Sequence, residues 1–322
     1  MDRTETIKDK VCGCLYGQAV GDALGFGTEG MTKAEVELHY NCNLQRYDGF
    51  YRDKRRMGWP IGMWTDDTEM MLSILDCIME YPLARINTEA LARHFLSFYD
   101  KWGFTCGILT SKVLSFAPPV YKVDPVSVAK MVWELKGKNS APNGGLMRTS
   151  IIGLWPYETD ENASIVCKMT HYDPRCVASC VIISRLIHNI VYNNDVPLSV
   201  EDLCQIGDKY DGECRKWIVS AFSNDDISKL NLADYDTFAY TYRTLSAALW
   251  AYFHARDFKS GLLAIVNEGG DADTNSAIAC SVLGAKFGYS SIPDYYVDNL
   301  YKKEEYLKRI TPFIETLVNN PA

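Results

Sequence analysis

Apolar residues along this chain recur at spacings of three and four far more often than they alternate. The pattern runs through Thr6 to Leu24, Glu69 to Tyr81, Thr88 to Trp102, Pro125 to Leu135, Arg175 to Tyr192, Tyr240 to Arg256 and Asn275 to Phe287. That period matches the helical repeat, so each segment is predicted to form a helix with one or more buried faces. Sustained alternation is scarce, so few strands are expected. The joints are Gly/Pro/Asn clusters at Gly58 to Gly62, Ala117 to Pro119, Lys136 to Gly145, Asn193 to Pro197 and Gly269-Gly270. None has the length or polarity of an interdomain linker. The most polar stretch, Ser223 to Asp236, reads as a surface excursion between helices. The expectation is one all-α domain over residues 1–322, with no internal repeat.

The first helix breaks a propensity rule. Gly13, Gly17, Gly21 and Gly25 recur every fourth residue and put a smooth stripe on one face. Each glycine costs a helix about 1 kcal/mol relative to alanine, so the stripe needs an offsetting gain. Two gains are available: close packing against another helix, or backbone approach to a ligand.

Composition narrows the partners. The chain has 322 residues, 47% hydrophobic and 23% charged, with a formal net charge of −8. That acidity argues against a nucleic-acid backbone or an anionic membrane as the main partner. The most basic run, Arg52-Asp53-Lys54-Arg55-Arg56, reads as a solvated loop. The longest apolar run, Val177 to Tyr192, is short for a membrane span and broken by Arg185, His188 and Asn189, so it reads as a buried helix. The opening MDRTETIKDK has no apolar core of a secretory signal. Eleven scattered cysteines without a CxxC spacing read as reduced thiols, and a cytoplasmic, monomeric protein is expected.

Chemistry concentrates in two acidic clusters. In Met63-Trp64-Thr65-Asp66-Asp67-Thr68-Glu69, three carboxylates fall within four positions at the head of an apolar run. Asp66 and Glu69 fit a capping box, and the helix dipole favours acids in a first turn. A cap does not need the third acid. The second cluster, Glu268-Gly269-Gly270-Asp271-Ala272-Asp273-Thr274-Asn275, also precedes a helical run. Asp271 and Asp273 diverge on a regular helix but converge in a glycine-led loop. Neither cluster contains histidine or cysteine, which disfavours zinc; carboxylate and hydroxyl oxygens suit magnesium or manganese. Four aspartates match the charge of two such cations.

With both clusters in view, the sequence resembles the ADP-ribosylglycohydrolase family, the dinitrogenase-reductase-activating type of hydrolase. Four blocks carry the resemblance: Gly17-Gln18-Ala19-Val20-Gly21-Asp22-Ala23-Leu24-Gly25 with Glu29, then Trp64 to Thr68, then Asn143 to Arg148 with Thr170-His171, then Gly269 to Thr274. They lie in the family's order and span nearly the whole chain. The resemblance implies a compact orthogonal helix bundle holding two Mg²⁺ (or Mn²⁺) ions. It implies Thr65, Asp66, Asp67, Asp271, Asp273 and Thr274 as metal ligands, with Glu29, Asp66 and Asp67 as the catalytic set. It also implies that Gly107, Asn143, Gly144, Gly145, Met147 and His171 hold the substrate. Asp22 is left outside the catalytic set as a residue that orients its neighbours, and Arg148 faces either a phosphate or a buried acid.

The implied reaction is cleavage of the glycosidic bond between the distal ribose of ADP-ribose and an acceptor, on an ADP-ribosylated protein or a small molecule. Arginine is slightly favoured as the acceptor. Cys106 stands where an aspartate would be expected for arginine, which keeps serine, O-acetyl-ADP-ribose and other adducts open. A catalytically silent, ADP-ribose-binding or crystallin-like relative is the alternative, and it predicts damaged ligands. A phosphatase or nucleotide hydrolase using the same two metals is a further rival.

Overall fold

The computed structural model describes residues 3–193 and 196–319, so residues 194 and 195 of the Asn193 to Pro197 joint lie outside the described residues. Every helix predicted from periodicity is present: Arg3–Gly25, Asp66–Glu80, Thr88–Trp102, Pro125–Leu135, Pro174–Tyr192, Thr241–His254 and Ala272–Phe287. No strand occurs among the described residues, only an isolated antiparallel bridge between Pro142 and Tyr240. Further helices fill stretches with no predicted element, among them Lys33–Tyr40, Ile108–Phe116, Thr159–Lys168, Val200–Asp208, Cys214–Ser223, Phe258–Val266 and Lys303–Asn319. Most of these are too short to show three full repeats of a 3.6-residue pattern, and the last carries Pro312 inside it. The architecture is a single compact all-α domain.

The glycine stripe settles the core. A Cβ at Gly13, Gly17, Gly21 or Gly25 would run into the carbonyl oxygen of Gly284, Cys280, Ser276 or Ala272, respectively. Each step of four up Arg3–Gly25 therefore meets a step of four down Ala272–Phe287, so the two helices are antiparallel with their backbones in contact. Both are buried almost all round. This is the packing use of the stripe, and close contact over four turns offsets the glycines' helix penalty. Its register also has a consequence for chemistry. The last glycine, Gly25, lies beside Ala272, so the loop leaving the first helix meets the loop entering the second. Backbone bonds tie them together: Gly30 N–H donates to Gly270 O (2.7 Å) and Gly270 N–H to Met31 O (2.8 Å).

Around this pair, Thr241–His254 and Phe258–Val266 pack on Ala272–Phe287, and Asp66–Glu80 packs on Thr88–Trp102. Pro174–Tyr192 is long and apolar enough to cross a membrane, yet most of it is buried in the core, as expected for Val177 to Tyr192. All eleven cysteines are free thiols.

A carboxylate-lined cavity as the candidate active site

Two helix starts and one loop converge on a cavity of about 790 Å³, a size suited to a small-molecule ligand. Glu29, Asp66, Asp67, Asp271, Asp273 and Thr274 line one end of it. Gly107, Asn143, Gly144, Met147 and His171 line the walls. Of the sequence-predicted site residues, Thr65 and Gly145 do not reach the lining. Thr65 is the N-cap of Asp66–Glu80, and its hydroxyl donates to Asp67 Oδ2 (2.8 Å). Gly145 makes room behind the wall, where a Cβ would press on Cys167 and His171.

The first helix start rests on Asp22. Its carboxylate accepts from Thr65 N–H (2.9 Å), Thr68 N–H (3.0 Å) and the Thr68 hydroxyl (2.6 Å). Asp22 therefore orients its neighbours, as expected. The capping box expected between Asp66 and Glu69 does not form. The cap is Thr65, one residue earlier, and Glu69 instead accepts from Arg309 (2.7 Å) and the Trp64 indole (3.2 Å). The second start is held by backbone and by a side-chain relay. Asn275 accepts from the Thr244 hydroxyl (2.8 Å), which accepts from the Asn143 amide (2.8 Å); that amide also donates to Asp271 Oδ2 (2.6 Å). The backbone N–H of Asn143 is engaged by Ala239 O (2.8 Å). Asn143 thus braces an acid while lining the cavity.

Glu29 arrives by a different route. Arg56, buried, donates to the carbonyls of Phe26 (3.0 Å) and Glu29, and to Asp53. Phe26 stacks on Trp59 at 4.5 Å between centroids. Next to it, half-exposed Arg55 pairs with the Glu29 carboxylate and lines the cavity. The basic run read as a solvated loop is therefore a clamp on Glu29. Its two working arginines point inward because buried carbonyls and carboxylates there need donors.

The electrostatics of this carboxylate group suit a cation. One carboxylate oxygen from each of Glu29, Asp271 and Asp273 lies within 4.8 Å of the others. Glu29 Oε2, Asp67 Oδ1 and Asp273 Oδ1 are buried and accept no hydrogen bond. Burial first, and the neighbouring carboxylates second, push Glu29, Asp66 and Asp67 well above the usual carboxylate range. Asp271 is pushed up to about 8 for the same reasons. Buried acids in this state either hold protons or neutralise a cation. The donor set is all hard oxygen, which fits Mg²⁺ or Mn²⁺ and not a thiolate-seeking metal.

Arg148 differs from expectation, His171 keeps its expected place, and one segment went unread. Arg148 faces neither phosphate nor acid: it is buried, donates to Val166 O (3.2 Å) and Thr170, and lies over the Phe95 ring at 4.5 Å. It is therefore a structural cation whose charge is held by a ring and neutral acceptors. His171, fully buried beside Thr170 (2.7 Å), has its pKa driven well down by burial and by Arg148, so it stays a neutral imidazole at the wall. The sequence reading did not find residues 236–240, which also line the cavity, next to Asn143. Their only signal was position, at the end of the polar stretch Ser223 to Asp236.

The family model described as ADP-ribosylglycohydrolase matches residues 3–320. The chain is 27% identical over 312 residues to the ADP-ribosyl-(dinitrogen reductase) glycohydrolase of Rhodospirillum rubrum, covering 93% of each chain. It is 24% identical over 311 residues to the ADP-ribosylarginine hydrolase Tri1 of Serratia proteamaculans (strain 568), covering 92% of this chain and 76% of that one. A solved structure described as an ADP-ribosylglycohydrolase-related protein complex superposes with a TM-score of 0.70 at 24% identity, covering 95% of this chain and 96% of that one. That likeness speaks for the fold. With a match that runs from residue 3 to residue 320, the chain belongs to the ADP-ribosylglycohydrolase family.

Proposed function

We propose that residues 1–322 form one ADP-ribosylglycohydrolase-like domain that cleaves the glycosidic bond at the distal ribose of ADP-ribose. The products are free ADP-ribose and the released acceptor, a protein side chain or a small molecule. The observation that carries the reading is the set of orphaned carboxylate oxygens on Glu29, Asp67 and Asp273 at one end of a ligand-sized cavity.

Asp66, Asp67, Asp271, Asp273 and Thr274 would hold two divalent cations, Mg²⁺ or Mn²⁺, with Thr65 bracing Asp67. Bound there, the cations would polarise ribose hydroxyls and water. Glu29 comes from outside the two helix starts and brings a carboxylate oxygen to those of Asp271 and Asp273. It acts as general acid/base or positions the attacking water while the C1″ bond breaks through an oxocarbenium-like state. Gly107, Gly144, Met147 and His171 shape the wall against ADP-ribose. Gly144 serves by having no side chain, since a Cβ there would meet His171 and Thr110. Asn143 keeps Asp271 aimed.

The test is a panel of Arg-, Ser- and Cys-linked ADP-ribosyl substrates plus O-acetyl-ADP-ribose, assayed with Mg²⁺, Mn²⁺ or EDTA. Release of free ADP-ribose from at least one linkage is expected, lost in EDTA and in an Asp66→Ala/Asp67→Ala protein. Full, chelator-resistant activity in that double variant would sink the account. Binding of ADP-ribose with no release from any substrate would favour a catalytically silent relative. Splitting of ADP-ribose at the pyrophosphate would favour a nucleotide hydrolase.

A further inference from the structure

Ile108–Phe116 and Pro125–Leu135 pack on each other beside the cavity, each with one buried and one outward stripe. On the first helix Leu109, Val113 and Leu114 face in, while Ile108, Lys112, Ser115 and Phe116 face out at helical spacing. On the second, Val128, Ala129 and Val132 face in, and Ser127, Lys130, Met131, Glu134 and Leu135 face out. The outward apolar side chains are large and uncovered: Ile108 is 74% exposed, Leu135 71%, and Phe116 and Met131 49% each. Single exposed apolar residues are ordinary. These, however, sit on two stripes that both reach the cavity, since Ile108 and Lys136 are part of its lining.

Charge separates this region from the rest of the chain. Residues 101–138 hold six lysines (Lys101, Lys112, Lys122, Lys130, Lys136 and Lys138), no arginine, and only Asp124 and Glu134 as acids, in a chain of net charge −8. All six lysines are exposed, and none pairs with a carboxylate among the described residues. Elsewhere Lys33, Lys216, Lys302 and Lys303 pair with carboxylates, while other exposed lysines such as Lys54 and Lys259 do not, so what marks this region is its local excess of six lysines over two acids. Asp124 is engaged at home, capping its own helix through Ser127 N–H (3.1 Å).

We propose that these two outward stripes are the docking face for an acidic acceptor protein, whose ADP-ribosylated side chain enters the adjoining cavity. This rests on the reading of the cavity as an ADP-ribosyl hydrolase site. Size selects a macromolecule: the eleven-residue helix extends roughly 16 Å, beyond the reach of a small leaving group held in the cavity. Chemistry selects a protein. The net charge of −8 disfavours a nucleic acid or an anionic membrane, whereas lysines interleaved with Ile108, Phe116, Met131 and Leu135 match a carboxylate-rich surface with apolar anchors.

The experiment uses two synthetic peptides with the same ADP-ribosylated residue, one flanked by Asp, Glu and Leu and the other by Lys and Gly. Serine- and arginine-linked versions are both made, and O-acetyl-ADP-ribose serves as the small substrate. The acidic peptide is expected to show about tenfold higher kcat/KM, mostly through KM, with the advantage shrinking as salt rises. Lys112→Glu/Lys130→Glu should erase that advantage and leave O-acetyl-ADP-ribose turnover unchanged. Equal turnover of both peptides, or an advantage untouched by the variant, overturns the docking face. If no substrate is cleaved, the catalytic reading fails separately, and fluorescence anisotropy of the unmodified acidic peptide decides docking. Salt-sensitive binding lost in Lys112→Glu/Lys130→Glu sustains it. No binding, tighter binding to duplex DNA or anionic vesicles, or a dimer by light scattering that the variant dissolves overturns it.

Discussion

The helix starts at Asp66 and Ala272 face one cavity, and each carries an Asp-Thr pair, yet they are built differently. At Asp67-Thr68 the threonine turns away from the cavity and gives both its hydroxyl and its N–H to Asp22. At Asp273-Thr274 the threonine faces the cavity. The first start is fixed by side chains: the Thr65 cap and the Asp22 carboxylate. The second has no side-chain cap and is led by Gly269 and Gly270, at φ +78° and +69°. All these acids are buried, so burial alone does not mark function. What distinguishes them is how their oxygens are occupied. Those of Asp22 are taken up by three donors, while Asp67 and Asp273 each keep one with no donor.

The largest effects should follow that division. Asp67→Ala and Asp273→Ala are each expected to cut ADP-ribose release by at least about 100-fold, because both sides serve one site. In EDTA both variants should melt at or above the wild-type temperature, since each removes a buried carboxylate lacking a full set of partners. Asp22→Ala should do the reverse in EDTA and destabilise the fold by roughly 2–5 kcal/mol, because three donors lose their acceptor. Thermal melts with and without Mn²⁺ check all three. An Asp22→Ala protein as stable as wild type would erase the distinction between the two kinds of buried acid.

A smaller effect sharpens the contrast in how the starts are held. Gly270→Ala puts a Cβ into Leu232 O at a positive φ, and should cost more than about 2 kcal/mol of stability. Thr65→Ala removes one capping bond and should cost about 1 kcal/mol. Denaturant midpoints measure both. If the threonine variant is the more damaging, the second start is not held by its backbone.

These differences also explain what the sequence could reveal. Long helices were legible because apolar spacing over three or more turns has one simple solution, as in Thr88–Trp102 and Pro125–Leu135, where the expected bounds match the observed ones. The two clusters were legible because acids at a helix head are a local signal. Arg55 and Arg56 were not, since a basic run looks solvated until Phe26 and Glu29 are folded beneath it. Arg148 was misread for a related reason: only the fold brings it the Phe95 ring in place of an anion. The glycine stripe lay between these cases. Its spacing required a close neighbour, but nothing local identified that neighbour as a helix more than 240 residues away.

The smallest expected effect concerns Arg55, which bridges the comparison by supplying the positive charge that the helix starts lack. Its guanidinium holds one oxygen of Glu29. It also acts electrostatically with Asp271 and Asp273, so all three acids share its charge. A divalent cation at the same acids must either displace the guanidinium from Glu29 or bind beside a like charge. Both routes weaken binding, so Arg55→Ala should tighten Mn²⁺ binding by roughly threefold to tenfold. Arg55→Lys keeps the charge and should move it little. Mn²⁺ titration followed by electron paramagnetic resonance reads free ion directly and does not depend on turnover. An Arg55→Ala protein with unchanged or weaker Mn²⁺ affinity would mean that the guanidinium and the cation draw on separate carboxylates, which would detach Glu29 from the cation site formed by the two helix starts.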